Sequence, residues 1–244
     1  MKTLVLYVFH KYNERVDHFV KHAVFQDENV DFIFISNGDP IQIPGISIIY
    51  RQNIGYDFGG WSDALLTNNL YKNYDHFIFV NSSVMGPYLP SYYKGKWTDI
   101  YIEGLQDVKL FGSTINAMKN KLTLAHVQSY IFAMDKSTLD YLIECKIFSM
   151  TNYATTFDDA IHKKEILMSR KIIENKWNIG SLLPYYKGID FTFQTPHCRL
   201  FLGDSMYPAL RDILWSEYDL IFIKGNRVKI QKNASPEQLI QHTP

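Results

Sequence analysis

A surplus of cations is the first thing missing from this 244-residue chain: 25 lysines and arginines face 25 aspartates and glutamates, for a formal net charge of zero. General nucleic-acid binding rests on neutralising phosphates with excess positive charge. The balance therefore argues against that class while leaving room for a local basic pocket. Cysteine is scarce too. Cys145 and Cys198 alone cannot build a metal cluster or a disulfide framework, which points to a reducing compartment. No stretch approaches the roughly 18 apolar residues of a membrane-spanning helix. The N-terminal apolar run is too short for a secretory signal and reads better as a first strand. The expectation is a cytoplasmic protein with no integral membrane segment. Internal repeats, low-complexity segments and Gly-, Ser- or Pro-rich linkers are absent as well.

What is present is an ordinary apolar fraction, 46%, enough for a sizeable core. Aromatics reach 15%, with 17 Tyr and 16 Phe. Core packing accounts for most of that excess, and stacking of flat ligands such as bases or sugars is the competing use. The first half alternates strand and helix patterns: strands at Leu4 to Phe9, Val30 to Ile35, Ile46 to Tyr50 and His76 to Val80, helices at Asn13 to His22 and Tyr56 to Leu70. Short continuous apolar strands alternating with helices predict an α/β fold, a mostly parallel central sheet covered on both faces. In the second half, Val108 to Gly112, Val127 to Met134, Ile179 to Tyr185 and Leu220 to Lys224 read as strands. Ser137 to Ile143 and Phe157 to Asn175 read as helices, and Asp212 to Leu220 leads into the last strand. One domain over 1–232 is expected, with a nucleotide-binding half over about 1–105, an acceptor-side half over 106–232 and a polar tail over 233–244.

In an open α/β sheet, ligands bind outside the carboxyl ends of the strands. That rule selects four loops. His10-Lys11-Tyr12-Asn13 follows the first strand and is either a ligand edge or a plain polar loop. Ser36-Asn37-Gly38-Asp39 follows the second; turn chemistry accounts for it, with base or ribose contact by Asp39 the weaker reading. The third, Arg51 to Asp63, contains Asn53, Gly55, Asp57, Gly59 and Gly60. Three glycines in six residues let a backbone turn tightly and approach a ligand. Asp57 as a helix cap and Trp61 as core explain only part of that pattern. It is neither a Walker loop nor the Gly-x-Gly-x-x-Gly fingerprint. The fourth, Asn81-Ser82-Ser83 before Met85-Gly86-Pro87, stands where a nucleotide-sugar enzyme would carry a metal-binding Asp-x-Asp. Neutral amides and hydroxyls are poor ligands for Mg²⁺ or Mn²⁺. Either no metal is tightly held, or carboxylates elsewhere supply it, Asp57 and Asp63 being the candidates.

On a regular helix, Asp158, His162, Glu165 and Ser169 share an arc of about 60°. Lys163, Lys164, Arg170, Lys171 and Glu174 fall opposite. The stripe is expected to face inward, where burial raises a carboxylate's pKa and suits it to be a base. Pairing of Asp158 with His162 on a solvated face is the alternative. His126, Gln128 and Ser129 are candidates for an acceptor cleft. His197-Cys198 beside Arg199 suggests a metal or phosphate contact, and Lys224 with Arg227 would balance a diphosphate or be merely solvated.

The order of elements resembles that of GT-A glycosyltransferases. More narrowly, Asn53 to Trp61 and Phe79 to Pro87 resemble motifs of the rhamnan-synthesis-F-like polysaccharide glycosyltransferases, as do His126 to Tyr130 and Leu220 to Arg227. The resemblance spans about residues 3 to 227. It implies transfer of a hexosyl or deoxyhexosyl unit from a UDP-, GDP- or TDP-sugar to a glycan or other hydroxyl acceptor. Glu165 is similar to the acid of the Glu-Asp-x-x-Leu-Ser pattern of inverting members, although Lys164 stands where the pattern's first acid would be. His10, Asn37, Asn53, Gly55, Asp57, Gly59, Asn81, Ser82 and Ser83 are thereby expected to hold the donor. Glu165 is the expected base and Asp158 the second candidate. Mn²⁺ or Mg²⁺ is left open by the missing Asp-x-Asp, which also favours the alternative of a non-catalytic nucleotide- or glycan-binding module. A methyltransferase is disfavoured because no glycine-rich loop follows the first strand.

Overall fold

The computed structural model describes residues 1–38, 40–118, 121–193 and 215–226. Asp39, His197, Cys198, Arg199, Asp212, Arg227 and the 233–244 tail lie outside them. The first strand, β1 (Thr3–Phe9), is buried along its whole length, as a central strand apolar from Leu4 onward must be. It pairs in parallel with β2 (Val30–Ser36) on one side and β4 (His76–Asn81) on the other, and β3 (Ser47–Tyr50) extends the sheet parallel to β2. The seven-stranded sheet is completed by β9 (Ile131–Asp135), antiparallel to β4, then β6 (Leu110–Gly112) and β10 (Ile179–Ser181). One strand, β9, opposes the other six, and the sheet takes strands from both halves of the chain.

Alternate residues of β1 feed two cores. Leu4, Leu6 and Val8 pack against α2 (Tyr56–Leu66), with Trp61 and Phe58 beneath Phe79 and Phe132. Val5, Tyr7 and Phe9 pack on the other face against α1 (Glu14–His22) and α3 (Trp97–Glu103). Asn13 caps α1, its side-chain oxygen accepting from the amides of Arg15 and Val16.

Four readings of the sequence are corrected. The helix expected over Tyr56 to Leu70 stops at Leu66, because Asn68 and Asn69 take left-handed backbone angles in a following 3₁₀ segment, Thr67–Asn73. The strand expected over Val127 to Met134 is broken. Val127 ends β8 (Lys121–Val127), the partner of β7 (Ile115–Met118) in a hairpin the sequence reading missed, and a turn at 128–130 delivers the chain into β9. Strand pairing at the last apolar run is confined to Ile223–Lys224, β11 in chain order, which pairs with β5 (Val84–Met85). The long helix runs as Phe157–Asp159, Ala160–Ile166 and Leu167–Glu174, the middle part a π-helix. Its i to i+5 bonding breaks the regular 100° spacing. Lys164, expected outside with the other lysines, is therefore buried, and its Nζ donates to the carbonyls of Lys146 and Ile147, both at 2.8 Å. Burial lowers its pKa to about 8.

Candidate functional site

The carboxyl ends of β1, β2 and β4 meet the amino end of α2, and the loop between β3 and α2 is held there by one side chain. Arg51 donates from Nε to Asp63, from Nη1 to the Asn37 side-chain oxygen and from Nη2 to the Ile54 carbonyl, each at 2.7 Å. Asn37 is buried and engaged at both ends, since its Nδ2 donates to the Tyr56 carbonyl at 3.1 Å. Asp63 also accepts from the Tyr153 hydroxyl at 2.5 Å. Arg51 and Tyr153 thus bond one oxygen each of Asp63, the second carboxylate proposed for a metal. The Asn37 amide, expected to meet the donor, braces the loop.

The glycines serve the same brace. Gly55 stands at φ +77°, and a Cβ on Gly59 would lie 2.0 Å from the Ile54 carbonyl oxygen. The close approach read as accommodation of a ligand is an approach of α2 to its own loop. Trp61 is core, its Nε1 donating to the Leu6 carbonyl.

Asp57 is different. It lies in the first turn of α2 but caps nothing, since the N-cap is Gly55 and no side chain bonds the free amides. Its Oδ2 accepts from Asn81 Nδ2 at 3.0 Å, which joins α2 to the end of β4. Asn81 Oδ1 in turn accepts from the backbone amide of Ser83 at 3.0 Å and from its hydroxyl at 2.5 Å. The Asp57 Oδ1 has no bonding partner among the described residues. Burial pushes the Asp57 carboxyl up to about 6, against the Asn81 bond and the attraction of Lys224, and the like charge of Glu165 adds to the rise.

Glu165 reaches the same edge from the π-helical turn. Its Oε1 lies 3.3 Å from His126 Nε2, and its Oε2 accepts from the amide of Ser129 at 2.9 Å and from the Ser129 hydroxyl. Burial alone pushes this carboxyl up. The His126 bond and charge, then the two Ser129 bonds, outweigh it and hold the carboxyl at about 2. The raised pKa expected of Glu165 is therefore found on Asp57 instead. The inward stripe also divides. Ser169 is buried, with its hydroxyl oxygen accepting from the Val127 amide. The Asp158 side chain is 83% exposed and faces His162 at 3.6 Å, the solvated pair that was the alternative reading. Asp158, the second candidate base, thus stands in solvent.

Of the remaining expected contacts, His10 is exposed at the rim, with Nδ1 donating to the Asn37 carbonyl at 2.9 Å. Asn53 is exposed on the loop. The carbonyl of Ser82 accepts from Arg15 Nε at 2.8 Å. Arg15 was missed by sequence reasoning, and only its place two residues after the N-cap of α1 hinted that it faces the strand ends. The structure therefore gathers Asp57, Asn81, Ser82 and Ser83 with Lys224 and Glu165, and leaves Asn53 and Asp158 at the periphery. A divalent cation does not fit the donors at the 81–83 turn. The Asn81 oxygen and the Ser82 carbonyl are taken, Asp57 is the one carboxylate in contact with the turn, and no cluster of three or more His, Cys, Asp or Glu exists among the described residues.

A mostly parallel sheet with polar groups gathered beyond the carboxyl ends of its strands has the arrangement of α/β folds, in which that edge is the usual ligand side. The chain belongs to the rhamnan synthesis protein F family, whose profile matches residues 46–205, more than half of it. The rhamnan-synthesis class expected from the motifs is thus its class. No curated protein matches it. Among solved structures it is similar to the bifunctional glycosyltransferase WbbM, at 11% identity over 75% of this chain and 39% of that one, with a TM-score of 0.39. It is also similar to the glycosyltransferase GlyE of Streptococcus pneumoniae, at 12% over 76% and 46%, with a TM-score of 0.42. A cytidylyltransferase of Leptospira borgpetersenii aligns at 12% over 74% and 75%, with a TM-score of 0.39. The chain spans less than half the length of the two glycosyltransferases. Among the described residues, no helix is long and apolar enough to cross a membrane.

Proposed function

We propose that this protein transfers a sugar from a nucleotide-activated donor to a hydroxyl acceptor, in a single displacement at the Asp57–Asn81 edge. The observation that carries the reading is a carboxylate with one free oxygen, held by Asn81 and within electrostatic reach of an acidic and a basic group, Glu165 and Lys224. The acceptor oxygen forms its bond to the anomeric carbon as the bond from that carbon to the diphosphate breaks. The electron pair leaves with the diphosphate. Asp57 takes the acceptor proton, because a carboxyl near 6 accepts it better than one near 2. Glu165 stays ionised and, with His126 and Ser129, shapes the acceptor side. Hexosyl and deoxyhexosyl donors on UDP, GDP or TDP are the substrate class.

The test is donor hydrolysis and transfer across a panel of UDP-, GDP- and TDP-sugars. Turnover of one donor, abolished in Asp57→Asn and only weakened in Glu165→Gln, supports the assignment. Loss in Glu165→Gln with wild-type rates in Asp57→Asn returns the base to Glu165. The neutral Asn81-Ser82-Ser83 turn favours one second reading, a binding module of the same fold, which nucleotide binding without turnover of any donor would support.

A further inference from the structure

We infer that Arg15 and Lys224 form a cationic diphosphate clamp that takes the place of a divalent metal at the 81–83 turn. The inference rests on the nucleotide-sugar reading and adds what neutralises the leaving group. The turn is built so that the two cations arrive on it from opposite ends of the chain. Arg15, in the first turn of α1, is pinned through Nε to the Ser82 carbonyl, and its two terminal guanidinium nitrogens carry no bond to any described residue. Lys224 pairs in register with Val84 on β11, and the next residue's amide, that of Gly225, donates to the Ser83 carbonyl at 2.7 Å. A Cβ on Gly225 would stand 3.3 Å from Arg15 Cδ and 2.9 Å from Met85 Cβ, so the segments carrying the two cations are in contact. Gly86 seats the strand, since a Cβ there would fall 2.5 Å from the Ile221 carbonyl oxygen. The buried hydroxyls of Ser113 and Tyr130 hold it from beneath through the carbonyls of Leu220 and Phe222.

Neither cation has a carboxylate in salt-bridge contact among the described residues, and both are only partly exposed. Lys224 also lies within electrostatic reach of Asp57, whose ionised form it favours. An anchored guanidinium beside a second, partly buried cation is the chemistry that recognises a diphosphate and stabilises the charge gathering on it as the glycosidic bond breaks. The carbonyl and amide oxygens of the turn, already bonded, offer a metal little. An arginine whose Nε is anchored presents its remaining two nitrogens as a fork to phosphate oxygens.

The test is calorimetric titration of the full chain with UDP, GDP and TDP and the matching monophosphates, in excess EDTA and in excess Mn²⁺ or Mg²⁺. The expected result is a diphosphate that binds with affinities equal within about twofold in the two media. Arg15→Gln and Lys224→Gln each weaken it by about tenfold, while the monophosphate loses less. Abolition of binding by EDTA overturns the inference, as does wild-type affinity in both variants. Binding of no nucleotide in either medium overturns the donor reading itself, and the inference with it. Arg15 also holds the Ser82 carbonyl. If Arg15→Gln does not fold, Lys224→Gln, whose side chain makes no salt bridge among the described residues, decides alone.

Discussion

Glu165→Gln separates the charge of Glu165 from its shape. In the folded protein its carboxyl sits at about 2, against an ordinary 4.5, and its side chain is 17% exposed, buried enough for the difference to bear on stability. A shift of that size corresponds to about 3 kcal/mol. Because the folded value lies below the unfolded one, the contribution is fully present above 4.5 and is lost as pH falls toward 2. The assay is urea denaturation of wild type and variant at about pH 7 and about pH 3, each near-isosteric side chain filling the same space. We expect the variant to be less stable by about 3 kcal/mol at the higher pH, and the gap to narrow by about 2 kcal/mol at the lower. Removing the like charge should also lower the Asp57 pKa, shifting the acid limb of the activity profile to lower pH. Equal stability of the two proteins at both pH values would refute the His126–Glu165–Ser129 assignment.

Asp57→Asn should abolish transfer yet stabilise the fold. The Asp57 value is raised from 3.8 to about 6, so its ionisation costs stability progressively as pH rises through that window. The variant should gain on the order of 2 kcal/mol at neutral pH and lose the slope between about 4 and 6, read by thermal melting across pH. Gly59→Ala must displace the Ile54 carbonyl, 2.0 Å from the new Cβ, and should cost about 3 kcal/mol or more in urea unfolding. Ser169→Ala leaves the buried Val127 amide without its acceptor and should cost about 1–3 kcal/mol by the same measurement, with nucleotide affinity unchanged.

The alternation of apolar runs made the parallel strands, their helices and the loops beyond their carboxyl ends legible, because burial on both faces demands unbroken apolar strands. The pairing of β7 with β8 was not, although Lys121 to Leu124 alternates polar and apolar residues as a strand does. The π-helical turn was equally hidden. Period arithmetic assumes regular spacing, so it placed Lys164 outside when the wider turn carries it in. Ser169, by contrast, was placed inward correctly.

At the site, the motifs identified which polar side chains stand at the strand ends, and that much needed only local pattern. Which of them remain free was decided by partners far along the chain. Asn37 is taken by Arg51 and Tyr56, Asp63 by Arg51 and Tyr153, and Glu165 by His126 and Ser129. Asp57 keeps an open oxygen, and Arg15 and Lys224 come together on one turn from opposite ends of the chain. Hydrogen-bond saturation and carboxyl pKa are properties of a three-dimensional neighbourhood. Chain order names the groups, and only packing settles which charges are neutralised and which are left to meet a ligand.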